Sequence, residues 1–161
     1  FASKADDSVT RHENRGTVCG PITNMVIRHV SAEDCHCFTR LLRSAHSIRD
    51  ITIEACEVGC RYHAINGDDA RKWVAHGGAA GGVEEKDLPA SDGVLANIVI
   101  RKLTVWPTQM NGTPLIYVEG KLAGEGLKVE NFKRLAEKDV DPDRPSTVFR
   151  HLPESTSMTL K

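Results

Sequence analysis

No apolar run in this chain approaches the ~20 residues that cross a bilayer, so its sequence excludes a membrane-spanning helix. Charge of one sign is also missing. Lys and Arg total 21 against 22 Asp and Glu, a net of -1, so nothing advertises a nucleic-acid or membrane-surface partner. The chain begins at Phe1 without a charged-then-apolar signal pattern. That start implies a removed or missing upstream segment. Tryptophan is scarce. Trp73 and Trp106 are either sugar-stacking platforms or packed aromatics. What is present suits a soluble domain with a real core: 161 residues, 40% apolar, mean hydropathy -0.33.

The five cysteines, Cys19, Cys35, Cys37, Cys56 and Cys60, cannot all pair. Cys35-His36-Cys37 hints at zinc, with Cys56 and Cys60 completing a composite site. Structural zinc prefers pairs separated by two to four residues, and Cys56 and Cys60 have three between them. Small buried apolar residues are the simpler reading, and neither a metal nor another cofactor is expected.

One pattern recurs: apolar, any, apolar, any, any, apolar. It reads Met25-x-Ile27-x-x-Val30, Ile51-x-Ile53-x-x-Cys56, Ile98-x-Ile100-x-x-Leu103 and Leu127-x-Val129-x-x-Phe132, with a partial Met158-x-Leu160. First positions are separated by 26 (51 − 25), 47 (98 − 51), 29 (127 − 98) and 31 (158 − 127) residues. Apolar residues two apart face one side of a strand. A third apolar residue three further on implies a bend that keeps it inside. Each copy is followed by a second apolar group: Phe38 with Leu41-Leu42, Ala64-Ile65, Leu115-Ile116 with Val118, and Val148-Phe149 with Leu152. The period is too short for a βαβ unit and lacks helical spacing. It predicts an all-β chain: a right-handed parallel β-helix of about four to five coils over residues 1–161, part of a longer stack.

Stacking predicts that Arg28, Glu54, Arg101 and Glu130 form a row of alternating charge, worth a few tenths to ~1 kcal/mol per contact. The long interval predicts an inserted loop over 66–93, with its Gly77–Gly82 run and the charged Glu84 to Asp87. A second polar excursion, Asp139 to Pro145, reads as a turn. Open end coils invite aggregation, so the segment alone is expected to be poorly soluble. A homo-oligomer, a partner chain or missing sequence would cover those ends.

Two segments carry a resemblance: Cys35-His36-Cys37-Phe38 after the first strand, and Gly59-Cys60-Arg61-Tyr62-His63 one repeat later. They resemble the Gly-His-Gly and Gly-x-Arg-Ile-Lys motifs of the polygalacturonase family, glycoside hydrolase family 28, in the pectin-lyase-like β-helix superfamily. The resemblance implies a hydrolase of uronic-acid polysaccharides. It places His36 on the family's histidine, Arg61 on its arginine and His63 on its lysine. Cysteines replace both glycines flanking the histidine. The family's catalytic carboxylates precede that histidine; here the only Asp-Asp pair upstream is Asp6-Asp7, and the resemblance implies that the true pair lies before Phe1.

Glycoside cleavage needs one carboxylic acid and a second carboxylate. Within the chain, Asp68 and Asp69 of Gly67-Asp68-Asp69 are the catalytic candidates beside His36, with Arg71 and Lys72 nearby, although the triplet also suits a turn. Glu33 and Asp34 flank His36 and are a lesser option. Arg40, Arg61, Tyr62 and His63 are the candidate substrate-binding residues, with Arg suited to a sugar carboxylate. Two alternatives stand beside the hydrolase. One is a non-catalytic glycan-binding or assembly β-helix like a phage tail spike. The other is a polysaccharide lyase with Arg61 as base. Polymer degradation would imply a secreted or periplasmic protein, whereas unpaired cysteines sit more easily in a reducing space.

Overall fold

A computed structural model describes residues 2–4, 20–43, 45–69, 92–120, 122–150 and 158–160. Among them the regular structure is β throughout, apart from one 3-10 turn at Ala136–Lys138. The strands are β1 (Ala2–Lys4), β2 (Ile22–Arg28), β3 (Ser31–Cys35), β4 (Thr39–Arg43), β5 (Ile48–Cys60), β6 (Ile65–Asp69), β7 (Leu95–Pro107), β8 (Ile116–Glu119), β9 (Leu122–Arg134), β10 (Thr147–Arg150) and β11 (Met158–Leu160).

Every pairing is parallel, and the strands form two sheets. One holds the short strands in the order β1-β4-β6-β8-β10. The other runs β2-β5-β7-β9-β11, with β3 also on β5. The apolar repeat explains the second sheet. Met25 pairs with Ile51, Ile51 with Ile98, Ile98 with Leu127 and Leu127 with Met158. Ile27, Ile53, Ile100, Val129 and Leu160 form the neighbouring column. The second apolar groups supply the first sheet, where Thr39, Ile65, Ile116 and Thr147 align. Leu41, Ile65, Ile116 and Val118 from the short strands join Ile51, Ile53, Ile98 and Ile100 from the long ones in one core. Cys56 and Cys60 are buried and form no disulfide, and Cys56 shares a column with Leu103 and Phe132, so both pack as small apolar residues.

The backbone explains why apolar spacing widens from two to three. Asn24, Asp50 and Asn97 have φ of 57°, 58° and 53°, and His29, Ala55, Lys102 and Asn131 have φ of 55°, 52°, 54° and 52°. The strand register aligns them as two columns of left-handed bends. Each bend adds one residue to the alternation. Arg101 and Lys102 both point outward, and Leu103 then returns to the core. A left-handed residue costs roughly 1–2 kcal/mol unless it is Gly or a short polar side chain that bonds locally. The first column obeys this rule. Asn97 Nδ2 donates to Asp50 Oδ1 at 2.8 Å, and Asn97 Oδ1 accepts from Glu125 N at 2.9 Å. On β9 the same place is taken by Gly124-Glu125-Gly126, where the register shifts between Ala96 and Ile98.

Arg28, Glu54, Arg101 and Glu130 align as expected, and Arg101 Nη2 lies 3.0 Å from Glu54 Oε2. The insertion begins later than the composition implied. Asn66 to Asp69 complete β6, paired with β4 and in part with β8, and residues 70–91 lie outside the described residues with Trp73, Arg71 and Lys72. The Asp139 to Pro145 excursion is more than a turn. Arg144 is 2% exposed. It donates to the Arg61 carbonyl at 3.1 Å, to Thr113 Oγ1 at 2.9 Å and to the Thr113 carbonyl. Asp141 Oδ2 accepts from Asn111 N and Gly112 N, each at 3.2 Å. Together they clamp the β7–β8 loop.

Candidate functional site

Where the long strands hand over to the short ones, the connections stack. Tyr62 N donates to the His36 carbonyl at 2.9 Å and Phe38 N to the His63 carbonyl at 3.1 Å. This register lays the β5–β6 connection directly on the β3–β4 connection. The rings of His36 and Tyr62 consequently sit 4.5 Å apart, tilted by 41°. Arg40 and Asn66 are paired neighbours on the outer face of the short-strand sheet, and Tyr117 follows Asn66 on β8.

These residues enclose a pocket of about 340 Å³, lined by His36, Cys37, Arg40, Tyr62, His63 and Asn66. The volume falls within the roughly 300–1,000 Å³ of small-ligand sites. Four expected site residues, His36, Arg40, Tyr62 and His63, thus share one cavity. Cys37 and Asn66 are the members that sequence reasoning did not place in the site. The signal was available, since Asn66 follows Arg40 by one repeat (66 − 40 = 26). Its Oδ1 is buried without a hydrogen-bond partner.

His63 is held firmly. Its Nδ1 lies 2.6 Å from the Pro114 carbonyl, and its ring stacks on Tyr117 with centroids 5.6 Å apart. A carbonyl only accepts, so Nδ1 carries the hydrogen and the neutral ring keeps its lone pair on Nε2. Burial pushes the His63 pKa down, and the nearby positive charges of Arg144, Arg40 and His36 push the same way, against the Pro114 bond. Pro114 is itself fixed through its neighbour Thr113, which Arg144 clamps. Cys37 is a neutral wall rather than a nucleophile, because burial raises its thiol to about 11.

The other expected residues lie elsewhere. Arg61 is not among the lining residues and makes a two-pronged pair with Asp34, with Nη2 2.8 Å from Oδ2. Hydrogen bonds from Arg61 and then Thr108 hold the Asp34 carboxyl below its usual pKa. Asp68 and Asp69 occupy successive positions of β6, so they face opposite sides of the sheet. Asp69 is buried with its Oδ2 3.6 Å from Arg43 Nη1, while Asp68 lies on the outer side. Glu33 reaches the Lys138 ammonium at 3.2 Å. Trp106 packs as a core aromatic, 4% exposed against Gly59, with Lys138 Nζ 4.4 Å above its ring. Among the described residues no group of three or more His, Cys, Asp or Glu is placed to hold a metal. No protein-family model, curated protein or solved structure matches the chain.

Proposed function

We propose that the chain is a stretch of right-handed parallel β-helix whose outer-face pocket binds a uronic-acid-containing polysaccharide. The coil reading is supported by two parallel sheets whose strands alternate along the chain and pair with the next repeat in register. The carbohydrate reading is supported by one observation above the rest. Arg40, His36, Tyr62, His63 and Asn66 line a single cavity. A guanidinium suits a sugar carboxylate, and an aromatic ring suits the apolar face of a pyranose. The uronic acid is named by the resemblance to the polygalacturonase family.

Glycoside hydrolysis asks more of the site. It requires two carboxyl groups facing the scissile bond. None of the six lining residues carries one. Asp68 and Asp69 are divided between the faces of β6. A hydrolase reading therefore depends on carboxylates from outside this pocket's lining, whereas acidic-glycan recognition depends on residues that line it.

The test is calorimetric titration with oligogalacturonate at low salt, with neutral dextran as the control. Saturable binding of the acidic oligomer is expected. Arg40→Ala weakens it about tenfold or more, in line with about 1.5–3 kcal/mol for a charged hydrogen bond. Absence of binding, or equal affinity for dextran, would remove this reading.

A further inference from the structure

We infer that Cys35 and Cys60 are a redox site, whose two thiols a low-molecular-weight disulfide converts into a bridge that staples β3 to β5. The inference needs no ligand in the pocket and stands apart from the glycan reading.

Strand register carries it. Cys35 and Cys60 are direct partners in the parallel β3–β5 pairing, 25 residues apart in sequence (60 − 35). Neighbouring strands lie ≈ 4.7–4.9 Å apart, within the 4.4–6.8 Å between Cα atoms that a disulfide spans. The two side chains face the same way, since Cys60 belongs to the buried core and Cys35 packs against that core. Cys35 Sγ already reaches the Gly59 carbonyl at 3.2 Å, one residue before Cys60. One residue after Cys60, Arg61 N donates to the Cys35 carbonyl at 2.8 Å. Cys35 is thus held against the backbone on both sides of Cys60. Among the described residues no other two cysteines are strand partners. Cys56 lies beside Leu103 and its Sγ turns to the Glu54 carbonyl, while Cys37 Sγ turns to the Thr39 carbonyl.

Both are free thiols in this structure, Cys35 half-buried and Cys60 buried. Cys35 therefore meets the reagent first. Its thiolate attacks one sulfur of the external disulfide, forms a mixed disulfide and releases one reagent thiol. The Cys60 thiolate then attacks Cys35 Sγ, which forms the bridge and releases the second reagent thiol. The two protein thiols give up two electrons and two protons, and the external disulfide takes them up as two thiols. Burial raises both protein thiols, Cys60 to about 12, so the exchange is slow in neutral solution. Closing the loop restricts the unfolded chain and stabilises the folded one. The bridge also ties together the two connections that carry His36 and Tyr62.

The whole chain is incubated with oxidised glutathione, the remaining thiols are alkylated and the bridges are mapped by peptide mass spectrometry, with urea unfolding before and after. A Cys35–Cys60 cross-link is expected, with a raised urea midpoint, and dithiothreitol reverses both. Cys35→Ser, a small change at the half-buried position, removes the cross-link and the rise. Wild-type protein that keeps both thiols, that retains a glutathione adduct on Cys35, or that bridges either residue to another cysteine overturns the assignment. A Cys35–Cys60 cross-link that leaves the midpoint unchanged or lowers it overturns the staple, because the native register would then not accommodate the bond.

Discussion

Gly59 shows how much one hydrogen atom can decide. A Cβ there would lie 2.0 Å from the Glu33 carbonyl oxygen, 2.5 Å from Trp106 Nε1 and 2.8 Å from Thr108 Cγ2. The first of these is backbone and cannot swing aside. Gly59 therefore allows β3 to lie against β5 and Trp106 to close over the contact. Gly59→Ala should cost about 3 kcal/mol or more, the upper end of overpacking penalties, read as a shift in the urea midpoint by circular dichroism. A change below about 1 kcal/mol would mean that β3 does not approach β5 so closely. Asn66 and Arg61 mark what could and could not be read from residue types. Asn66 was hidden because Asn-Gly-Asp-Asp has the composition of a turn, although its strand register continues that of Arg40. Arg61 kept its place in the repeat, but its guanidinium is committed to Asp34, 27 residues earlier (61 − 34). That separation is about one repeat, so the spacing brings the two residues near each other but does not say that the guanidinium turns to Asp34.

Among the elements, the left-handed bends matter most. Without them a strand as long as β5 or β7, 13 residues each, would keep strict alternation and lose its third interior column. Asn97 separates the two contributions at such a bend. Asn97→Gly keeps the backbone preference and loses the bonds to Asp50 and Glu125, at about 1 kcal/mol each. Asn97→Ala loses those bonds and adds the roughly 1–2 kcal/mol of a left-handed alanine. Thermal or urea unfolding should rank the proteins wild type, Asn97→Gly, Asn97→Ala. Equal stability of the two variants would argue that position 97 is not in the left-handed region. The interior columns were legible because their chemistry is nearly uniform: Met25, Ile51, Ile98 and Leu127, then Ile27, Ile53, Ile100 and Val129. The bends were only half legible. Asn24, Asp50 and Asn97 look like left-handed residues, whereas Ala55 and Lys102 do not, and their neighbours impose the conformation.

For the whole molecule, the same register that builds the core builds the pocket. His36 meets Tyr62, and Arg40 meets Asn66, because each repeat lies on the one before it. The stabilising pairings are all distant in sequence, joining residues 26 (51 − 25), 47 (98 − 51) and 29 (127 − 98) apart in the main column. No local segment can form alone, and a one-residue slip would turn the apolar column outward. Methyl-labelled protein, with isoleucine, leucine and valine visible by nuclear magnetic resonance, reports this register directly. Adjacent strands lie ≈ 4.7–4.9 Å apart, so methyl cross-peaks should join Ile51 to Ile98, Ile53 to Ile100 and Ile98 to Leu127. A spectrum lacking those peaks, or one linking Ile51 to residues outside its column, would contradict the in-register stack and remove the pocket built upon it.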